Sequence, residues 1–213
     1  MTGTGTLWAS LEQPWRECLT EAWEAYRVGA QPFGAVVVDP LGQVVARGRN
    51  RIRHEAPNPL AHAELEVLMS FDYAHLNPHP CTLYALVEPC PLCMGALYMS
   101  GVRRLKFACR DPVAGSSNML GTTPYLSRKP VVASGPGEAD LEAIIAATHV
   151  EFALHDGSGR VQEFVERWRQ VIPRGVRLGE ALFESGELRD MAATGASAER
   201  VMDRLEARLR QVR

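Results

Sequence analysis

Two short stretches of this chain carry groups that do chemistry. Leu60-Ala61-His62-Ala63-Glu64 supplies an imidazole and a carboxylate, and Glu88-Pro89-Cys90-Pro91-Leu92-Cys93 supplies two thiols. Catalytic zinc takes three protein ligands and leaves its fourth position for water. His62, Cys90 and Cys93 fill three positions around one Zn2+ per chain, and Glu64 is left over as a carboxylate beside the water, placed to carry protons. A Cys-x-x-Cys pair alone is a weak signal, because structural zinc knuckles and redox motifs share it. A closed structural site needs a fourth protein ligand, and the chain has no second Cys-x-x-Cys. A redox reading leaves His62-Ala63-Glu64 unexplained. The bland alternative makes His62 and Glu64 ordinary helix residues and the cysteines apolar filler.

Both stretches must be held by the elements around them, and the patterning predicts those. Leu11, Trp15, Leu19, Ala22, Trp23 and Tyr26 recur at three- and four-residue steps, the mark of an amphipathic helix over about 11–28, behind a loose lead-in over 1–10. Ala35 to Val38 is a short β-branched run, as in a buried strand. The turn Asp39-Pro40-Leu41-Gly42 returns the chain antiparallel through 43–50. Helices are expected over 62–70 and 91–101, the second opening on Pro91, a favoured first-turn residue. Strands are expected over 82–87, 102–109 and 130–134, and a helix over 139–154. This alternation points to an α/β fold, a three-layer α/β/α sandwich on a mixed five-stranded sheet. In such sheets reactive groups gather at the carboxyl ends of strands, where the next helices begin. His62 and Cys90 both fall there.

A linker near 155–159 divides the chain into a domain over 1–156 and a helical C-terminal extension over 157–213, with helical patterns at 160–171, 176–191 and 197–212. The segment 160–213 has eleven arginines against nine acids, a salt-laced surface more than a basic arm. The net charge of −2 gives no basic footprint for nucleic acid. No apolar run approaches the length of a membrane span, and Met1 to Thr6 lacks the marks of a secretory signal. With Cys18, Cys81 and Cys109 read as reduced thiols, the expected location is cytoplasmic. Arg47, Arg49, Arg51 and Arg53 alternate, so an extended segment puts them on one face. That face is read as solvated strand surface in preference to a phosphate-binding ribbon. His54, His75 and His79 read as solvated loop residues. Phe33, Tyr98 and Tyr125 are candidates for stacking on a flat ring, or equally core residues. Loops 51–61 and 111–128 are long enough to shape a binding site.

His-x-Glu followed by Pro-Cys-x-x-Cys is the signature of zinc deaminases, and residues 11–155 resemble the cytidine/deoxycytidylate deaminase superfamily in motif and element order. Pro32 to Val38 and Glu88 to Ala96 look like guanine deaminases and related small-base enzymes, whereas Arg110-Asp111-Pro112-Val113-Ala114-Gly115-Ser116 looks like tRNA adenosine deaminases. The resemblance implies a cytidine deaminase-like fold and a homodimer built from the faces bearing the metal helices. It also implies that Asn50 hydrogen-bonds the target base and that the Ala63 backbone helps position it. The expected reaction is zinc-dependent hydrolytic deamination: an exocyclic amine of a nucleobase, nucleoside or related heterocycle becomes a carbonyl and ammonia leaves, with Glu64 carrying the protons. A tRNA-editing adenosine deaminase is the alternative, with tRNA as a less favoured partner. A catalytically silent zinc-binding subunit that docks through 160–213 is the second.

Overall fold

The computed structural model describes residues 5–52, 57–157 and 159–212. A short helix α1 (Leu7–Ser10) lies inside the expected lead-in, followed by α2 (Gln13–Arg27). Strands β1 (Gly34–Val38) and β2 (Val44–Arg49) form the hairpin, and then α3 (Ala63–Ser70), β3 (Thr82–Val87), α4 (Pro91–Ser100), β4 (Arg104–Cys109) and β5 (Val132–Ser134) alternate. The sheet order is β2-β1-β3-β4-β5. β1 pairs antiparallel with both neighbours, and β3-β4 and β4-β5 pair parallel, so the sheet is mixed as expected.

All five residues of β1 are buried, because helices cover the central strands on both faces. α3 and α4 close one face around Val37, Leu83, Leu105 and Met94. On the other face, α2 and α5 (Ala139–Asp156) cover Val36, Tyr84 and Leu86. The chain therefore forms the three-layer α/β/α sandwich read from the alternation.

α5 shows no polar stripe, because its outer side is covered as well. α6 (Val161–Val171), α7 (Pro173–Ser185), α8 (Glu187–Ala193) and α9 (Ala198–Leu209) pack over that side. A helix apolar all round needs cover on both sides. Val150, Ile144 and Ala147 share one core with Trp168, Leu178 and Leu182 of the C-terminal helices. The pattern at 176–191 predicts one helix, but the chain breaks it at Gly186, whose φ of +69° is a left-handed conformation that ends α7 before α8 begins.

Candidate active site

Local chemistry fixes both metal motifs at helix starts. His62 is the cap residue of α3, and Cys90 is the cap residue of α4, with Pro91 as the first helical residue. β3 ends at Val87, so Cys90 stands at the carboxyl end of a central strand, next to the antiparallel hairpin that leads into His62. Gly48 of β2 lets α3 approach this closely. A Cβ at that position would lie 2.4 Å from the Ala63 carbonyl oxygen and 2.5 Å from the Val67 nitrogen.

The donor atoms converge. His62 Nδ1 lies 3.7 Å from Cys90 Sγ and 3.5 Å from Cys93 Sγ, and the two sulfurs are 3.6 Å apart. Zinc–sulfur bonds of about 2.3 Å and zinc–nitrogen bonds of about 2.0–2.1 Å at tetrahedral angles put ligand atoms roughly 3.5–3.8 Å apart. The three observed edges match that spacing, and one imidazole with two thiols is a zinc donor set, so the residues fit the ion. Among the described residues this is the one cluster of three or more such groups able to hold a metal. The Cys90 thiol is held down to about 4, first by its hydrogen bond with Cys93 and then by that with His62. Thiolate is the form that binds metal.

Glu64 sits on the first turn of α3 and is 6% exposed. Its Oε2 lies 3.4 Å from Cys93 Sγ, and burial raises its pKa above the ordinary carboxylate value. Glu64 thus borders the three-donor cluster as a buried acid outside it.

His62, Cys90 and Glu64 line a cavity of about 500 Å³. Asn50, Ala63 and Phe33, expected from the sequence as substrate contacts, line it too. Asn50 is 2% exposed, and its Oδ1 accepts a hydrogen bond from the Ile52 amide at 3.1 Å while its backbone amide donates to the Phe33 carbonyl at 3.1 Å. Tyr98 and Tyr125 are not among the lining residues: their rings pack together at 5.5 Å, and the Tyr98 hydroxyl donates to the Tyr125 carbonyl. The described arginines of the row are paired with acids. Arg47 pairs with Glu17 at 2.9 Å, Arg49 with Glu21 at 3.5 Å and Arg51 with Glu66 at 3.8 Å. Arg53 and His54 lie outside the described residues. His75 is exposed and pairs with Asp72, and Cys18, Cys81 and Cys109 are free, buried thiols.

The Arg110-Asp111 motif holds a loop. The Arg110 guanidinium meets the Glu142 carboxylate at 2.8 Å through both Nε and Nη2, and the Arg110 amide donates to the same carboxylate. Asp111 lines the cavity and caps the Val113 and Ala114 amides. Sequence reasoning missed His149 and Trp168, which also line the cavity from α5 and α6. His149 looks like one more residue of an apolar helix, and no local signal marks it. Burial pushes its imidazole down to about 3, so it is neutral.

A family model of the cytidine and deoxycytidylate deaminase zinc-binding region matches residues 9–109. A tRNA-specific adenosine deaminase of Agrobacterium fabrum (strain C58) is 34% identical over 143 residues, which are 65% of this chain and 93% of that protein. A tRNA-specific adenosine deaminase of Bacillus subtilis (strain 168) is 36% identical over 49% of this chain, and the chain spans 65% of the length of that relative. Among solved structures, one in complex with 2,6-diaminopurine is 26% identical over 67% of this chain and 82% of its own, with a TM-score of 0.53. The family model, the near-complete coverage of the Agrobacterium relative and the three-donor cluster agree: the chain belongs to the zinc-dependent cytidine and deoxycytidylate deaminase family.

Proposed function

We propose that the protein hydrolytically deaminates a nucleobase, nucleoside or related heterocycle, exchanging an exocyclic amine for a carbonyl. The observation that carries this reading is Glu64, a buried carboxylate held 3.4 Å from Cys93 in the wall of an open cavity, outside the donor cluster that would hold the zinc. A purely structural metal site has no use for such a group.

His62, Cys90 and Cys93 would hold the ion, which when bound supplies Lewis acidity that readies water for attack at neutral pH. Glu64 takes a proton from that water and gives it to the ring nitrogen next to the amine-bearing carbon, then takes the remaining proton from the added hydroxyl and passes it to the departing amine. Water and substrate enter; the carbonyl base and ammonia leave, and Glu64 ends as it began. Asn50 holds the ring edge by hydrogen bonding, the Ala63 backbone assists, and Phe33 stacks on the ring face.

The names of the Agrobacterium and Bacillus relatives favour a second reading, adenosine deamination in tRNA. Against it, Arg47, Arg49 and Arg51 are already paired with acids, and the C-terminal segment is close to charge balance. Binding through phosphates weakens steeply with salt. Ammonia release from free bases or nucleosides that holds from low to moderate salt supports the first reading. Release from tRNA alone, lost with salt, supports the second.

The same reading takes 1–156 as the catalytic domain and 157–213 as an extension that helps shape its cleft. It takes the working unit as a homodimer in the cytoplasm. Leu60, Met69, Leu92 and Met99, exposed on and beside α3 and α4, favour pairing through that side. No helix among the described residues is long and apolar enough to cross a membrane.

A further inference from the structure

The cavity is lined by two sets of residues. His62, Glu64 and Cys90 belong to the metal site, while a second set comes from α5 and α6, beyond the residues matched by the family model. Four of the lining rings stand in series as one wall: Phe33 lies 4.4 Å from His149, His149 lies 5.8 Å from Trp168, and Trp168 lies 5.6 Å from Phe164. Phe33 and Phe164 keep part of their surface open, whereas His149 and Trp168 are buried. Nε2 of His149 and Nε1 of Trp168 have no hydrogen-bond partner among the described residues. Both atoms are closed off from solvent, so the rings with surface open to a guest are Phe33 and Phe164, backed by His149 and Trp168.

Charge limits what that is. The carboxylates of Glu64, Glu88, Asp111, Asp156 and Glu163 line the cavity against the guanidinium groups of Arg160 and Arg167. Glu163 pairs with both of these, at 3.5 Å and 2.9 Å, so neither is offered to an anion alone. A flat ring with a face for stacking suits the wall whichever base it is. A phosphate would meet an acidic surround.

Resting on the deaminase reading, we propose that the Phe33–His149–Trp168–Phe164 wall is the platform on which the substrate ring binds, and that the acidic lining restricts the site to uncharged or cationic amino-heterocycles, free bases or nucleosides without phosphate. α6 is thereby a specificity element of the site.

Binding and turnover test this separately. Tryptophan fluorescence of the zinc-loaded Glu64→Gln protein reads binding of guanosine, adenosine and cytidine, of their 5′-monophosphates, and of an RNA anticodon stem-loop. The best nucleoside is expected to bind about tenfold or more tightly than its own monophosphate, equivalent to about 1.4 kcal/mol. Phe164→Ala, and Phe164→Leu, which keeps the bulk and removes the ring, are expected to weaken it several-fold. Glu163→Gln is expected to narrow the gap by releasing Arg160 and Arg167. Equal or tighter binding of the monophosphate or the stem-loop overturns the proposal, as does unchanged affinity in both Phe164 variants, or no binding of any of the nucleosides or of guanine, adenine and cytosine titrated alongside them. Ammonia release by the wild-type protein is read in parallel. Its absence with the binding pattern intact overturns the deaminase reading alone, and its presence with monophosphates preferred overturns this proposal alone.

Discussion

Replacing His149 with phenylalanine should remove a specific part of the protein's acid sensitivity. His149 is 4% exposed, and burial alone pushes its imidazole down to about 3. The unfolded chain presents an ordinary histidine near 6.5. Between these two values the unfolded state binds a proton that the folded state refuses, so stability falls as pH falls below about 6.5. Each pH unit in that window is worth about 1.4 kcal/mol, giving roughly 2 kcal/mol at pH 5 relative to pH 7.5. Glu151, also buried, has a raised pKa, first by desolvation, and so contributes with the opposite sign: its stabilisation is present at low pH and lost as pH rises through its folded value. That contribution, and any zinc release in acid, is common to wild type and variant and cancels in their difference. Phenylalanine keeps a ring beside Phe33 and Trp168 while deleting the titrating group. Urea unfolding of both proteins at pH 5.0, 6.0 and 7.5 measures the effect. The variant should lose about 2 kcal/mol less than wild type on going from pH 7.5 to pH 5.0. Parallel pH profiles, or an imidazole resonance of His149 titrating near 6.5 in the folded protein, would refute the reasoning.

Two further substitutions probe how the fold holds the site. Gly48→Ala forces a Cβ to 2.4 Å from the Ala63 carbonyl oxygen, so α3 must move and carry His62 and Glu64 with it. It should destabilise the protein by about 1–3 kcal/mol and lower its zinc affinity in competition with a chromogenic chelator; unchanged affinity would show that α3 is seated by something else. Glu142→Ala removes the carboxylate that fixes Arg110 at the start of the loop bearing Asp111. Because the Arg110 side chain is 46% exposed and rehydrates, the loss should stay near about 1–2 kcal/mol. KM should rise more than kcat falls, and a variant with wild-type KM would sever that loop from substrate binding.

The metal cluster was legible in the sequence because it is local chemistry. His62 caps a helix, Pro91 starts one beside Cys90, and a spacing of three places Cys93 on the same side as Cys90. Strand content was legible for a similar reason: the β-branched run at Val36 to Val38 has only one comfortable environment. What escaped depends on partners far along the chain. The arginine row looks available until α2 supplies Glu17 and Glu21 across 30 and 28 residues of sequence. His149 looks like packing until α6 brings Trp168 against it and the cavity opens beside both. The same holds for Arg110, whose motif looks like that of tRNA adenosine deaminases and whose side chain is committed to Glu142. The break at Gly186 was visible as a residue but not as a conformation, since glycine inside a helical pattern is often tolerated.

The decisive measurement is ammonia release by protein loaded with one zinc per chain, assayed on guanine, adenine, cytosine, their nucleosides, triazines and tRNA, with Glu64→Gln alongside at matched zinc content. Wild-type protein should release ammonia in step with a carbonyl product from at least one free base or nucleoside. Glu64→Gln should bind zinc equally and fall by about two to four orders of magnitude. Zinc-loaded wild type that releases no ammonia from any of these substrates, or a Glu64→Gln variant that matches it, would contradict a deaminase in which Glu64 moves the protons.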